Sequence, residues 1–511
     1  MQLTYAQYRD KVRACWLGKN IGGTLGAPFE CIRGVFDIDY YTHDLSKGVL
    51  PNDDLDLQLV WLNAAETYGK SLTAQQLGEY WISYVVAKWS EYGAGGNNLR
   101  FGLQPPISGW YRNHNKDSCG CFIRSELWAC LAPGQPEIAC HYAMQDAICD
   151  HADEGMYAEV FCAALESAAF VETDRDKLME VALSYIPNDC AIAQVAEFVK
   201  NCYLSGMDWK QARKKLLQQF PGSFGLLQEL SPVGTAGQPA DPEVPAGPAG
   251  YDAPSNIGIM LIGWYFGEGD FSRSICIAAG CCEDGDCSAG TLGAVLGIQN
   301  GTACIAEKWL APIGDEIKIG SVDTTKACLP LPSTVTELTR RVVNLMPVFM
   351  HGHVQYDAQG QLIFDPVTQL QDTPKRVGVF EYERFVDNVN ITPVSIRQQN
   401  TLVDVCITYA DEALDLRAGE TKHFHVKIHN LIHEQQWLTC KFHLPEGWAA
   451  APGKEFCVNL NQRHGGCAIT ELDVAVTPGQ LTQGRYDLLL EIRSDGRLQT
   501  LFVQLPLLTA G

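Results

Sequence analysis

Two short acidic runs carry the residue types most able to do chemistry. The first is Asn52-Asp53-Asp54 with Asp56, directly after Pro51; the second is Glu283-Asp284-Gly285-Asp286. Each opens a segment of helical periodicity. Asp and Asn at a helix N-terminus are ordinary caps that suit the positive end of the dipole, at roughly 0.5–2 kcal/mol each. One residue satisfies that need, whereas neighbouring carboxylates repel one another unless a cation neutralises them. An oxygen-only donor set, with no His or paired Cys at ligand spacing, suits a hard ion, Mg before Ca or Mn, rather than Zn. Other candidates carry less. His351 and His353 flank a glycine in an expected exposed loop, and Cys119 with Cys121 and Cys281 with Cys282 lack the spacing of zinc ribbons. The sequence holds neither a G-x-S-x-G elbow nor a phosphate-binding G-x-x-x-x-G-K-[ST] loop.

Something must bring two distant acidic runs together. Gly18, Gly22 and Gly26 recur every fourth residue ahead of the first run, and Ala289, Gly293 and Gly297 do the same after the second. Residues four apart share one helical face. Two faces without side chains allow close helix contact, so these segments are expected at the centre of a helical domain with their acidic ends adjoining.

Up to Met350, apolar residues recur at three and four, predicting helices over Tyr5–Leu17, Asp54–Tyr68, Ala74–Trp89, Ser125–Leu131, Glu137–Val171, Lys177–Tyr185, Ala191–Leu204, Trp209–Leu217, Asn256–Phe266, Ser288–Ile298 and Thr334–Leu345. The Pro- and Gly-rich stretch Ser231–Gly250 reads as a long loop. Beyond Asn400 the period becomes two. Phe424, Val426 and Ile428 alternate with His423, His425 and Lys427, and similar runs at Val403–Thr408, Gln436–His443, Cys467–Val476, Tyr486–Ile492 and Leu498–Leu505 predict an immunoglobulin-like β-sandwich. The expected organisation is an all-α domain over residues 1–350, a connecting segment over 351–399 and a sandwich over 400–511.

The composition, 46% hydrophobic and 19% charged over 511 residues, allows large cores. A formal charge of −22 without a Lys/Arg cluster argues against nucleic acid, whose binding needs clustered cations. It does not exclude small anions, because a bound cation reverses the local field. The first residues mix charges with apolar side chains rather than forming a signal peptide, and no run is long enough to span a bilayer. The 20 cysteines fall mostly within helical patterns, as expected of buried thiols in a reducing cytoplasm.

IGGTLGAPFE (21–30), PNDDLDLQL (51–59), GCFIRSELWACLAPG (120–134), DAICDHADEG (146–155) and CEDGDCSAGTLGAVLGIQNG (282–301) together resemble the ADP-ribosylglycohydrolase family, in its motif order and over about residues 8–350. That family includes dinitrogenase-reductase-activating glycohydrolases, ADP-ribosyl-acceptor hydrolases and J-type crystallins. The resemblance implies an all-α orthogonal fold with two Mg ions, Mn being possible. The implied ligands are Asn52, Asp53 and Asp54 on one side and Asp284, Asp286 and the Cys287-Ser288 position on the other. Glu30, Asp54 and Asp284 are the implied catalytic carboxylates, and Arg124 and His151 the implied substrate contacts. Three residues depart from the pattern: Asn52 and Cys287 each stand where the family has Thr, and Gly23 where Asp is common.

The implied activity is metal-dependent hydrolysis at the anomeric carbon of an ADP-ribosyl substrate, small or protein-bound, by a chain that could form homo-oligomers. Alternatives are a related glycosidase acting on a nucleoside or other sugar, and a non-catalytic crystallin-like protein.

Overall fold

A computed structural model describes residues 3–221, 251–322, 329–359, 362–364, 386, 389–390, 392–462 and 468–509. The Ser231–Gly250 stretch expected to be a loop lies outside them. Two compact units are present, one of residues 1–101 and 111–373 and one of residues 102–110 and 374–511.

Among the described residues the helices are α1 (Tyr5–Gly26), α2 (Asp53–Tyr68), α3 (Ala74–Tyr84), α4 (Ser90–Arg100), α5 (Ile107–Trp110), α6 (Ser125–Leu131), α7 (Pro136–Ala147), α8 (Asp153–Ala169), α9 (Arg175–Leu183), α10 (Ala191–Leu204), α11 (Trp209–Gln219), α12 (Ala253–Phe266), α13 (Phe271–Gly280), α14 (Gly285–Asn300), α15 (Glu307–Leu310) and α16 (Val335–Phe349). All but α5 belong to the first unit. None is long and apolar enough to cross a membrane.

The centre of the helical unit is the antiparallel pair α1 and α14. A Cβ on Gly18 would lie 2.1 Å from the Gly293 carbonyl oxygen, one on Gly22 2.1 Å from that of Ala289, and one on Gly26 2.2 Å from that of Gly285. Backbone meets backbone along the whole crossing, so any side chain there would force the helices apart. Thr4 and Gln7 form a reciprocal capping box at the start of α1. The crossing brings the C-terminal end of α1 against the N-terminal end of α14, which is how residues far apart in the chain become neighbours.

The helix expected over Glu137–Val171 is two helices. It breaks between Ala147 and Asp153, where Ala152 is extended and Asp153 takes a positive φ of 47°. Helices α4 and α13 were not foreseen. The first holds three glycines within SEYGAGGNNLR, which weakens an apolar stripe, and the second is the short FSRSICIAAG.

In the region expected to connect the domains, β1 (Val354–Tyr356) and β2 (Leu362–Phe364) form a hairpin in the helical unit. The second unit holds two five-stranded sheets. One has the order β3 (Ser395–Gln399), β4 (Val403–Tyr409), β6 (Lys422–Asn430), β10 (Ile469–Thr477), β8 (Ala449–Ala451); the other has β5 (Asp415–Leu416), β12 (Thr500–Thr509), β11 (Arg485–Ser494), β7 (Gln436–His443), β9 (Glu455–Leu460). The first strand therefore begins before residue 400. Inward Phe424, Val426 and Ile428 are buried while His423 and His425 are exposed, the period-two pattern read from the sequence. Tyr409 donates its hydroxyl to the Pro506 carbonyl at 2.8 Å, tying one sheet to the other. Tyr486 at the start of β11 accepts from the Gln483 amide at 3.0 Å, the tyrosine corner of immunoglobulin-like sandwiches.

Candidate active site

The site is built where three chain segments meet. Glu30 follows α1 and a short 3-10 turn at Ala27–Phe29. Next to it, the Cys31 amide donates to the Glu283 carbonyl at 2.9 Å and the Glu283 amide to the Ile32 carbonyl at 2.8 Å, pinning Glu30 beside the second acidic run. Cys31, Cys282 and Glu283 all have positive φ, near 60°, a region L residues avoid. Such strain costs of the order of 1–3 kcal/mol per residue and collects at functional sites. The third segment is the N-terminus of α2, where Asn52 accepts from the Asp54 amide at 2.8 Å as a helix cap.

The two runs divide between site and scaffold. Glu283 is bonded to Arg33 at 2.9 Å and faces Arg213 at 3.4 Å, and Asp56 accepts from the Gly320 and Ser321 amides at 2.6 and 2.7 Å. Both are structural. Asp284 occupies the cap position of α14 but makes no capping bond, so the ordinary explanation for an acid at a helix start fails where it matters most. Asp53, Asp54, Asp284, Asp286 and Glu30 instead converge. Carboxylate oxygens of Glu30, Asp284 and Asp286 lie within 4.8 Å of one another, and Asp284 also belongs to a second group of that span with the thiols of Cys119 and Cys287. Asp54 Oδ1 is 3.5 Å from Cys287 Sγ.

The electrostatics are those of a site short of positive charge. Burial raises Asp284 to a pKa of about 7, with the nearby Glu30 carboxyl adding to the effect. Glu30 itself is pushed well above the usual carboxylate range, first by burial and then by Asp286, Asp53 and Asp54. Asp286 is raised likewise, by burial and Asp284. Lys19 is the nearby cation. Burial opposes its charge, but Glu126 at 2.8 Å and Asp54 at 3.4 Å outweigh that and hold it protonated. Asp284 Oδ1 and Asp286 Oδ1 are buried without a hydrogen-bond partner. Buried polar atoms are normally satisfied, and a cation bound among these oxygens would satisfy them.

Three expected site residues lie elsewhere. Arg124 is fully buried, with its guanidinium bonded to the Gly120 carbonyl at 2.8 Å, to Asp150 at 2.9 Å and to Asp146 at 3.2 Å, so its donors are taken up by the protein's own groups. His151 is equally enclosed, between Ser118 Oγ at 2.9 Å and Asp150 at 3.0 Å. Ser288 is turned toward α12, where its hydroxyl donates to the Asn256 carbonyl at 3.4 Å, and it does not stand in for the threonine that Cys287 replaces.

Sequence reasoning missed Cys119, Lys19 and Asn256. Cys119 donates to Asp284 Oδ2 at 2.8 Å, and the Asn256 side chain accepts from the Asp284 amide at 3.2 Å. A lysine amid the small residues of α1 was the one available signal. Two departures from the family pattern prove to be linked: a Cβ on Gly23 would lie 2.2 Å from Asn52 Nδ2. Any side chain at position 23 would push the Asn52 amide from this position.

The ADP-ribosylglycohydrolase family model matches residues 4–346, most of the chain, and the protein belongs to that family of hydrolases. A solved structure titled "ADP-ribosylglycohydrolase-related protein complex" is similar over 68% of this chain and 100% of that one, at 16% identity and a TM-score of 0.44. No curated protein sequence matches.

Proposed function

We propose that the protein is a Mg-dependent glycohydrolase that cleaves an N- or O-glycosidic bond at the anomeric carbon of an ADP-ribosyl substrate. The observation that carries this reading is the convergence of Glu30, Asp284 and Asp286, with Asp53 and Asp54 close enough to raise the Glu30 pKa, and the burial of Asp54 Oδ2, Asp284 Oδ1 and Asp286 Oδ1 without a hydrogen-bond partner. Asp53 and Asp54 from one side and Asp284 and Asp286 from the other would hold the cations, Mg or Mn. Asn52 would assist with the lone pair that its capping bond leaves free.

Divalent ions bound there would supply a water of lowered pKa and anchor sugar hydroxyls. The chain supplies the rest. Glu30, half-buried at the rim of the cluster, would take the proton of the attacking water once its carboxyl is ionised beside the bound cations, and would pass that proton to the departing group. Asp54 and Asp284 orient that water. Carboxylate oxygens left facing the sugar would favour the positive charge that develops at the anomeric carbon in the oxocarbenium-like transition state. Lys19, 3.4 Å away, favours the ionised form of Asp54 against the effect of its burial. The free thiols among the described residues support a reducing, cytoplasmic setting.

A second reading, a glycosidase for nucleosides or other sugars, draws support from the Gly23 and Asn52 exchange, which reshapes the cluster on its α1 side. Incubation with Mg and a panel of ADP-ribosylated peptides, ADP-ribosyl compounds, nucleosides and aryl furanosides separates the two. The proposal expects release of ADP-ribose that is lost in Glu30→Gln. Sugar release from non-nucleotide substrates alone would replace it with the second reading, and no release from any member would refute both.

A further inference from the structure

Two thiols face the carboxylates of this site, and both come from outside the acidic runs' oxygen set. Cys119 and Cys287 are 3% and 6% exposed, and with Asp284 their ligand atoms lie within 4.8 Å of one another. Several other buried cysteines of the helical unit donate to backbone carbonyls, as Cys121 does to Gly155, Cys140 to Val160 and Cys149 to Ala74. Cys119 instead points at a carboxylate, with Sγ 2.8 Å from Asp284 Oδ2, and Cys287 points at Asp54. Asp284 Oδ1 is left buried without a partner while its other oxygen meets the thiol.

Asp284 is therefore common to two donor groups of different chemical character. Glu30, Asp284 and Asp286 offer only oxygen, which suits Mg and its relatives. Cys119, Asp284 and Cys287 offer two sulfurs and one oxygen, a set that favours Zn and other borderline ions, and three protein ligands with a fourth position open is the usual form of a catalytic zinc site.

We propose that the centre is chemically asymmetric: one position takes a hard divalent ion among the carboxylates of Asp53, Asp54, Asp284 and Asp286, and the other takes a thiol-seeking divalent ion of the Zn class through Cys119, Cys287 and the shared Asp284. This rests on the metal-dependent reading of the same site. It also gives Cys287 a role: the thiol that replaces a hard oxygen donor has a second thiol opposite it, so the exchange changes the ion selected.

X-ray absorption on the full-length protein tests this directly. Metal-free, reduced protein is loaded with one equivalent of Zn in excess Mg. The expected result is a sulfur shell at about 2.3 Å together with oxygen at about 2.0–2.2 Å. Cys457→Ser, at an exposed cysteine of the second unit, should leave the shell unchanged. Cys119→Ser and, independently, Cys287→Thr should each remove sulfur from it. An oxygen-only shell in the unaltered protein overturns the proposal, as does a sulfur shell that survives both substitutions. If the shell is oxygen-only while Mg supports sugar release, this inference fails and the glycohydrolase reading stands. A sulfur shell lost in the variants, with no sugar released from any substrate, has the reverse meaning.

Discussion

Around Arg124, one guanidinium lies 3.0 Å from Asp146, 2.9 Å from Asp150 and 3.8 Å from Glu159, all fully buried. Around Asp284, five acids gather with Lys19 as the nearby cation, and that lysine is already shared with Glu126. In the first cluster the guanidinium lies within 3.8 Å of every acid. Burial works against the Asp150 charge, yet the adjoining Arg124 holds its carboxyl below the usual range, while burial raises Asp146 in spite of Arg124 and, together with Asp146, raises Glu159. In the second cluster Glu30, Asp53, Asp54, Asp284 and Asp286 are all raised, burial being the largest cause for each. A buried acidic cluster that carries its own counterion is scaffold. One that does not is a place for a cation from outside.

That contrast can be broken at several points. Arg124→Ala would leave Asp146 and Asp150 buried and uncompensated, and loss of one member of a buried pair costs about 3–5 kcal/mol. Urea unfolding should show that loss, and Mg should not restore it. A cost below about 1 kcal/mol, the value of an exposed pair, would mean that Arg124 does not hold this cluster together.

Gly22→Ala tests the crossing that assembles the other cluster. The new Cβ would sit 2.1 Å from the Ala289 carbonyl oxygen, so α1 and α14 must separate. Overpacking of this kind costs about 1–3 kcal/mol, and the acidic ends should lose register, weakening Mg affinity along with stability. Unchanged affinity in calorimetry would detach the crossing from the site.

The smallest effect is in pH. Asp284 has a folded pKa of about 7, above its unfolded value, so between those values the folded state holds more protons than the unfolded. The contribution to stability of the metal-free protein then falls as pH rises through that window and levels off above about 7. Mg favours the ionised form, so the rise in Tm that it causes should grow from pH 5 toward pH 7 and flatten beyond. Equal shifts at pH 5 and pH 8 would separate Asp284 from the metal.

Much of this arrangement was legible in the residues. Small side chains at every fourth position told that two helices touch, and the acidic runs at their ends told what would meet. Helical geometry also carries information that only burial made plain: Asp54 and Asp56, two apart, lie on different sides of α2, so only one reaches the cluster. Arg124 was misread because a motif fixes position in the chain but not depth in the fold; its partners come from α7, α8 and the turn between them. Cys119 was dismissed by a rule about local spacing, whereas its partner Asp284 lies 165 residues away. In the sandwich the long alternating strands were visible, while β5 and β8, two and three residues long, are too short to show a period.

Isothermal titration of Mg into the metal-free, full-length protein and into Asp284→Asn meets the central claim most directly. Saturable heat from the parent protein that Asp284→Asn abolishes, with both proteins folded, is the predicted result. A parent protein that gives no saturable heat, or an Asp284→Asn variant that binds as well as its parent, would contradict it.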